Sequence, residues 1–173
     1  MKKWIKRVVL SLLAIFCAMQ LIPMNYADPA VDPAKKLQPP PEVEAILRAA
    51  CYDCHSNETR WPWYAKVAPV SWWIANHVQD GRRKLNLSEW ADVTPRPSRL
   101  AEPGAAAPTR AQFQRKLLGD MESEMLEGKM PLSSYLPMHP DARLTPAQYK
   151  IVADWLDATM VQLATPPTTP PTK

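Results

Sequence analysis

Cys51 and Cys54 are separated by two residues, and His55 follows at once. Two thiols at this spacing can each add to one vinyl group of a single haem. The next imidazole then lies beneath the porphyrin, within reach of the iron. That chemistry predicts one covalent haem c, held by Cys51 and Cys54 and ligated by His55. Two other uses of the motif stay open. Cys-x-x-Cys also makes thioredoxin-like redox pairs, which sit beside a βαβ pattern; no Val- and Ile-rich strand precedes Cys51. A structural zinc site needs four ligands. The third cysteine, Cys17, lies in an apolar N-terminal run, and His77 and His139 are isolated.

The second face of the iron would need its own ligand, and Met130 is the expected one. It follows Gly128-Lys129 and precedes Pro131, so it should sit on a non-helical turn that the proline stiffens. His139, His77 or an open position are the alternatives. Met121 and Met125 recur at helical spacing and read as core. A thioether favours ferrous iron and suits an electron carrier. An open position would suit a small-ligand sensor or a peroxidase-like protein. Trp61, Trp63 and Trp72 are expected against the porphyrin or in the core of a small domain. Arg60 is a candidate partner for a haem propionate.

The elements that must position these groups read as helices. Pro41 opens one, with Glu42 and Glu44 in its first turn and Val43, Ile46, Leu47 and Ala50 on one face, running straight into Cys51. A second stripe starts at Val70, with Gly81 as its expected terminator. A third covers 110–127 and closes at Gly128. The fourth, over 144–163, carries a Thr145/Gln148 capping box and a Leu144/Tyr149 staple. No segment alternates as a strand would. The expected fold is therefore all-α: a small c-type cytochrome-like haem domain preceded by an N-terminal membrane helix. Without internal repeats, one haem is expected.

The chain has 173 residues with 21 basic and 17 acidic side chains. Lys2, Lys3, Lys6 and Arg7 supply the whole net charge of +4, so the rest is formally neutral. A nucleic-acid binder needs a basic face, so that class is not expected. Residues 1–23 read as a signal-anchor, with basic residues before an apolar run from Val8 to Ile22. At ~1.5 Å per residue such a run covers only about 22 Å of a ~30 Å hydrocarbon core, so flanking Trp4, Lys6 and Arg7 would have to lengthen it. Its charge places the domain outside the cytoplasm, at the periplasmic face of a bacterial inner membrane. Cleavage, leaving a periplasmic protein, is the alternative. Residues 24–41 hold five prolines and read as an extended linker. The haem-binding domain is expected over 42–163, with a proline-rich loop at 94–108, and 164–173 read as a disordered tail.

The stretch from Cys51 to Tyr64, with Ala68-Pro69-Val70-Ser71-Trp72 and Leu85-Asn86-Leu87-Ser88-Glu89-Trp90, resembles the bacterial haem-binding domain family. Met130-Pro131, Tyr135 and His139-Pro140-Asp141-Ala142-Arg143-Leu144 extend the likeness over roughly residues 38–160. Members are small, N-terminally anchored domains with one Cys-x-x-Cys-His. The resemblance implies covalent haem on Cys51 and Cys54 with His55 as ligand. It adds Tyr64, Pro131 and Tyr135 to Arg60, Trp61, Trp63 and Trp72 as the haem environment. The sequence departs from the family at Leu132-Ser133-Ser134, at Asn76-His77 and in the longer 94–108 region. No Ser/His/Asp set, phosphate loop or second metal motif is evident, so an enzyme is not expected. The leading expectation is a one-electron carrier with a membrane-bound or soluble periplasmic redox partner. A haem-free module closed by a Cys51–Cys54 disulfide is the third possibility.

Overall fold

The structure is a computed structural model that describes residues 2–24, 26–94 and 107–165. Among them there is no strand. The helices are α1 (Lys2–Met19), α2 (Pro41–Ala50), α3 (Tyr52–His55), α4 (Val70–Lys84), α5 (Arg110–Leu126) and α6 (Pro146–Ala164). Short 3₁₀ turns at Trp63–Lys66, Leu87–Asp92 and Pro140–Ala142 connect them. Most of the 94–108 loop and of the 164–173 tail lies outside the described residues.

Local chemistry sets these boundaries. Pro41 starts α2 where a missing N–H costs nothing, and Glu42 and Glu44 sit at the positive end of the helix dipole. Reciprocal capping boxes open α5 (Thr109 with Gln112) and α6 (Thr145 with Gln148), each satisfying two backbone donors. Gly128, at φ 67°, closes α5 in the left-handed region that glycine enters without strain.

Helices α5 and α6 pack on each other, and α2 lies against α6. Val43, Ile46 and Leu47 of α2 meet Leu118, Met125, Val152 and Leu156 in one core. Each such aliphatic side chain contributes about 2 kcal/mol on leaving water. A second layer sets α3 on α4, and here Gly81 departs from its expected role. The helix continues through it to Lys84. A β-carbon at Gly81 would lie 2.4 Å from the carbonyl oxygen of Cys54, so glycine is what lets the two backbones touch.

The N-terminal expectations need correction. Residues 2–19 do form a helix, but among the described residues no helix is long and apolar enough to cross a membrane. Lys2, Lys3, Lys6 and Arg7 occupy its first turns, and it ends at Met19, so the uncharged part from Val8 rises only about 18 Å. The proline-rich segment that follows is bonded to the domain and does not hang free. The Tyr26 hydroxyl donates to the Ala65 carbonyl at 2.8 Å, Leu37 N–H donates to the Leu87 carbonyl at 2.8 Å, and Leu37 is buried in the core. Aromatic and aliphatic residues between the prolines supply this docking.

Candidate functional site

A single helical turn arranges the motif. Cys51 accepts from the amides of Cys54 (3.2 Å) and His55 (2.9 Å), so positions 51, 54 and 55 share one face. Tyr52 and Asp53 turn the other way and are buried. Two cations lie over the Tyr52 ring, with Lys36 Nζ 5.2 Å and the Arg48 guanidinium 4.7 Å from its centroid.

His55 Nδ1 lies 3.1 Å from the Leu85 carbonyl oxygen. A carbonyl only accepts, so Nδ1 carries the proton and Nε2 keeps its lone pair for a metal. Burial holds the His55 pKa below its ordinary value, against the opposing pull of the Leu85 and Gly81 carbonyls. The imidazole is therefore neutral at neutral pH, the form that ligates iron.

Cys51 and Cys54 are both free thiols. Burial pushes Cys51 up to about 12 and Cys54 up to about 11. A redox dithiol needs a lowered pKa, so this environment is opposite to that of a thioredoxin-like pair. Among the described residues no three His, Cys, Asp or Glu side chains are grouped to hold a metal ion.

Cys51 and His55 open onto a cavity of about 370 Å³, within the range of ligand sites. Leu85, Leu87 and Leu117 form much of its apolar wall, and Met121, Met125 and Met130 also line it. A largely apolar cleft lined by the Cys51 thiol, a neutral imidazole and three thioethers, with Cys54 one helical turn along from Cys51 but not lining it, is a donor set that fits haem. Met130 arrives there because the chain reverses after α5. The amides of Lys129 (2.9 Å) and Met130 (3.0 Å) both donate to the Glu124 carbonyl beyond Gly128.

The other residues expected near the cofactor are placed elsewhere. None of Arg60, Trp61, Trp63, Tyr64, Trp72, Pro131 and Tyr135 is among those lining the cavity. Arg60 grips buried Asp53 through Nε and Nη2, both at 3.1 Å, so its charge is already answered. Trp61 Nε1 donates to Asp28 at 3.1 Å, and its ring meets Tyr26 edge-on. Trp63 is exposed. Trp72 Nε1 is buried without a hydrogen-bond partner. Tyr135 stacks on His139 with centroids 3.7 Å apart, and Tyr64 Oη lies 3.5 Å from His139 Nε2. His77 bonds its own helix at the Trp73 carbonyl.

Several contributors were not singled out from sequence: the Leu85 carbonyl, Lys84, Leu87, and the α5 face bearing Leu117 and Met121. The helical stripe of α5 was visible. That it meets a cavity rather than only the core is a tertiary fact.

No curated protein and no solved structure matches the chain. A family model described as "Haem-binding domain" matches residues 14–158, beginning upstream of the 38–160 stretch that carries the resemblance. The match takes in the motif, the cavity and the segment that docks residues 26–37 on the core, and on that extent the chain belongs to the haem-binding domain family.

Proposed function

We propose that the chain binds one haem c, which Cys51 and Cys54 would hold through thioethers and whose iron His55 and Met130 would ligate, and that it relays single electrons in the periplasm. The observation that carries this reading is His55: it lines the cavity with Nδ1 committed to the Leu85 carbonyl and Nε2 left over. Bound haem supplies the ferric/ferrous couple. Leu85 fixes the tautomer and orientation of His55. The hydrogen bonds to the Glu124 carbonyl hold the Met130 backbone, so its sulfur can be presented at small entropic cost. Leucines 85, 87 and 117 keep water from the site, which favours the less charged ferrous state.

The basic, then apolar, α1 serves as the export signal and holds the domain at the periplasmic face of the inner membrane. A membrane-bound or soluble redox protein is the partner. Absorption spectra of the matured protein test the ligation. The expected result is low-spin iron in both oxidation states, and a Met130→Ala variant that turns high-spin and takes up carbon monoxide. A wild-type ferrous form that is already high-spin and binds carbon monoxide would support the small-ligand sensor or peroxidase-like alternative instead.

A further inference from the structure

We propose that the face formed by the Trp63–Lys66 turn and the first turn of α4 docks flat on a lipid bilayer, with Trp63, Val70 and Trp73 at the headgroup level. The inference rests on the reading that α1 holds the chain at a membrane. It adds which side of the domain meets that membrane.

Helix α1 buries no residue, and Val9, Leu12, Leu13, Ile15 and Phe16 all stand exposed along it. A continuous apolar surface of that kind needs a cover. Just beyond its last residue the helix is tied to the domain. Gln20 closes a two-way bond with the backbone of Ala68: its Oε1 accepts from Ala68 N–H at 3.0 Å, and its Nε2 donates to the Ala68 carbonyl at 3.3 Å. Met19, Ile22 and Met24 line a small pocket together with Lys66, Ala68 and Ser71 around that bond. Whatever covers α1 therefore lies beside this face.

The face has the composition of a membrane interface. Trp63 is 75% exposed, and in a 3₁₀ turn it eclipses Lys66, three residues on, which lines the junction with α1. Val70 (44% exposed) and Trp73 (48%) stand three apart on the opening turn of α4, immediately beyond Ala68 and Pro69. Tryptophans settle where one edge is apolar and the other wet, and a lysine beside them suits anionic headgroups. Continuity with the exposed apolar helix is what selects a bilayer as the occupant.

Hydroxyl-radical footprinting of the full, haem-loaded chain decides the matter, with and without vesicles of phosphatidylcholine and phosphatidylglycerol. Leu126 and Val161, equally exposed on α5 and α6, serve as internal references. The expected result is flotation with the vesicles and at least fivefold protection of Trp63 and Trp73, with both references unchanged. A Gln20→Ala chain should still float but lose most of that protection. Flotation with the labelling of Trp63 and Trp73 unchanged by vesicles, as for the references, would overturn the docking face while leaving α1 as the anchor. Failure to float would overturn the anchor and the face together. Protection without vesicles, accompanied by a doubled mass in solution, would assign the face to a second copy and overturn the proposal.

Discussion

The Tyr135 hydroxyl donates to the Asp53 carboxylate at 2.6 Å, joining residues 82 apart in sequence. Asp53 lies inside the Cys-x-x-Cys-His motif, and Tyr135 lies five residues beyond Met130. The same carboxylate accepts from the Arg60 backbone N–H at 3.0 Å and from two guanidinium nitrogens. One buried acid thus ties the chain that carries Met130 to the turn that carries His55.

Removing the Tyr135 hydroxyl should loosen that tie. Tyr135→Phe removes one of two donors to Asp53 Oδ2, which keeps its bond from Arg60 Nη2, so the cost is about 1 kcal/mol. Denaturant unfolding of the matured protein should show that loss, and its ferrous spectrum should gain a high-spin fraction. Unchanged stability together with a fully low-spin spectrum would mean the bond does not position the Met130 segment.

The two glycines within α4 and α5 should respond oppositely to alanine. At Gly81 the new β-carbon meets the Cys54 carbonyl oxygen at 2.4 Å, so one backbone must move, at about 3 kcal/mol. At Gly119 the nearest neighbour is the Met160 sulfur at 3.8 Å, and alanine should gain up to about 1 kcal/mol from helix propensity. Thermal melts of the two variants check this. Equal effects would contradict the close approach of α3 and α4.

Glu44 and Glu58 give the domain an acid-side dependence. The hydrogen bond from Lys36 chiefly holds Glu44 below its ordinary 4.5, and Arg48 adds to it. Burial works to raise Glu58, but hydrogen bonds from Arg48 and Lys36 outweigh it and leave it lowered too. As pH falls below about 4.5 the unfolded chain therefore takes up protons first. Stability from this cluster is complete above that pH and is lost as pH falls through the folded-state values. It is worth on the order of 1 kcal/mol, since all four side chains keep some solvent contact. A Glu44→Gln/Glu58→Gln double variant should show a shallower decline in melting temperature on the acid side. A parallel decline would locate the acid sensitivity elsewhere.

Much of this arrangement was legible in the sequence where it is local. The Thr145/Gln148 box, the proline opening α2 and the close at Gly128 are written within a few residues of where they act. The spacing of Cys51, Cys54 and His55 fixes their common face in one turn. What was not legible depends on distant packing. Gly81 reads as a helix end because glycine breaks helices, and only the approach of Cys54 explains it inside one. The tryptophans at 61, 63 and 72 look like cofactor lining by type, yet Asp28 engages Trp61 and solvent meets Trp63. Met121 and Met125 read as core by periodicity, and both also face the cavity, because one helix side can serve two neighbours.

The most direct test is the state of the polypeptide after cytochrome c maturation. Intact-mass spectrometry, paired with a peroxidase-based haem stain on a denaturing gel, reads it. The expected result is a gain of one haem mass that survives denaturation, abolished when Cys51 and Cys54 are both replaced by alanine. An unmodified mass and a colourless, stain-negative protein would contradict it.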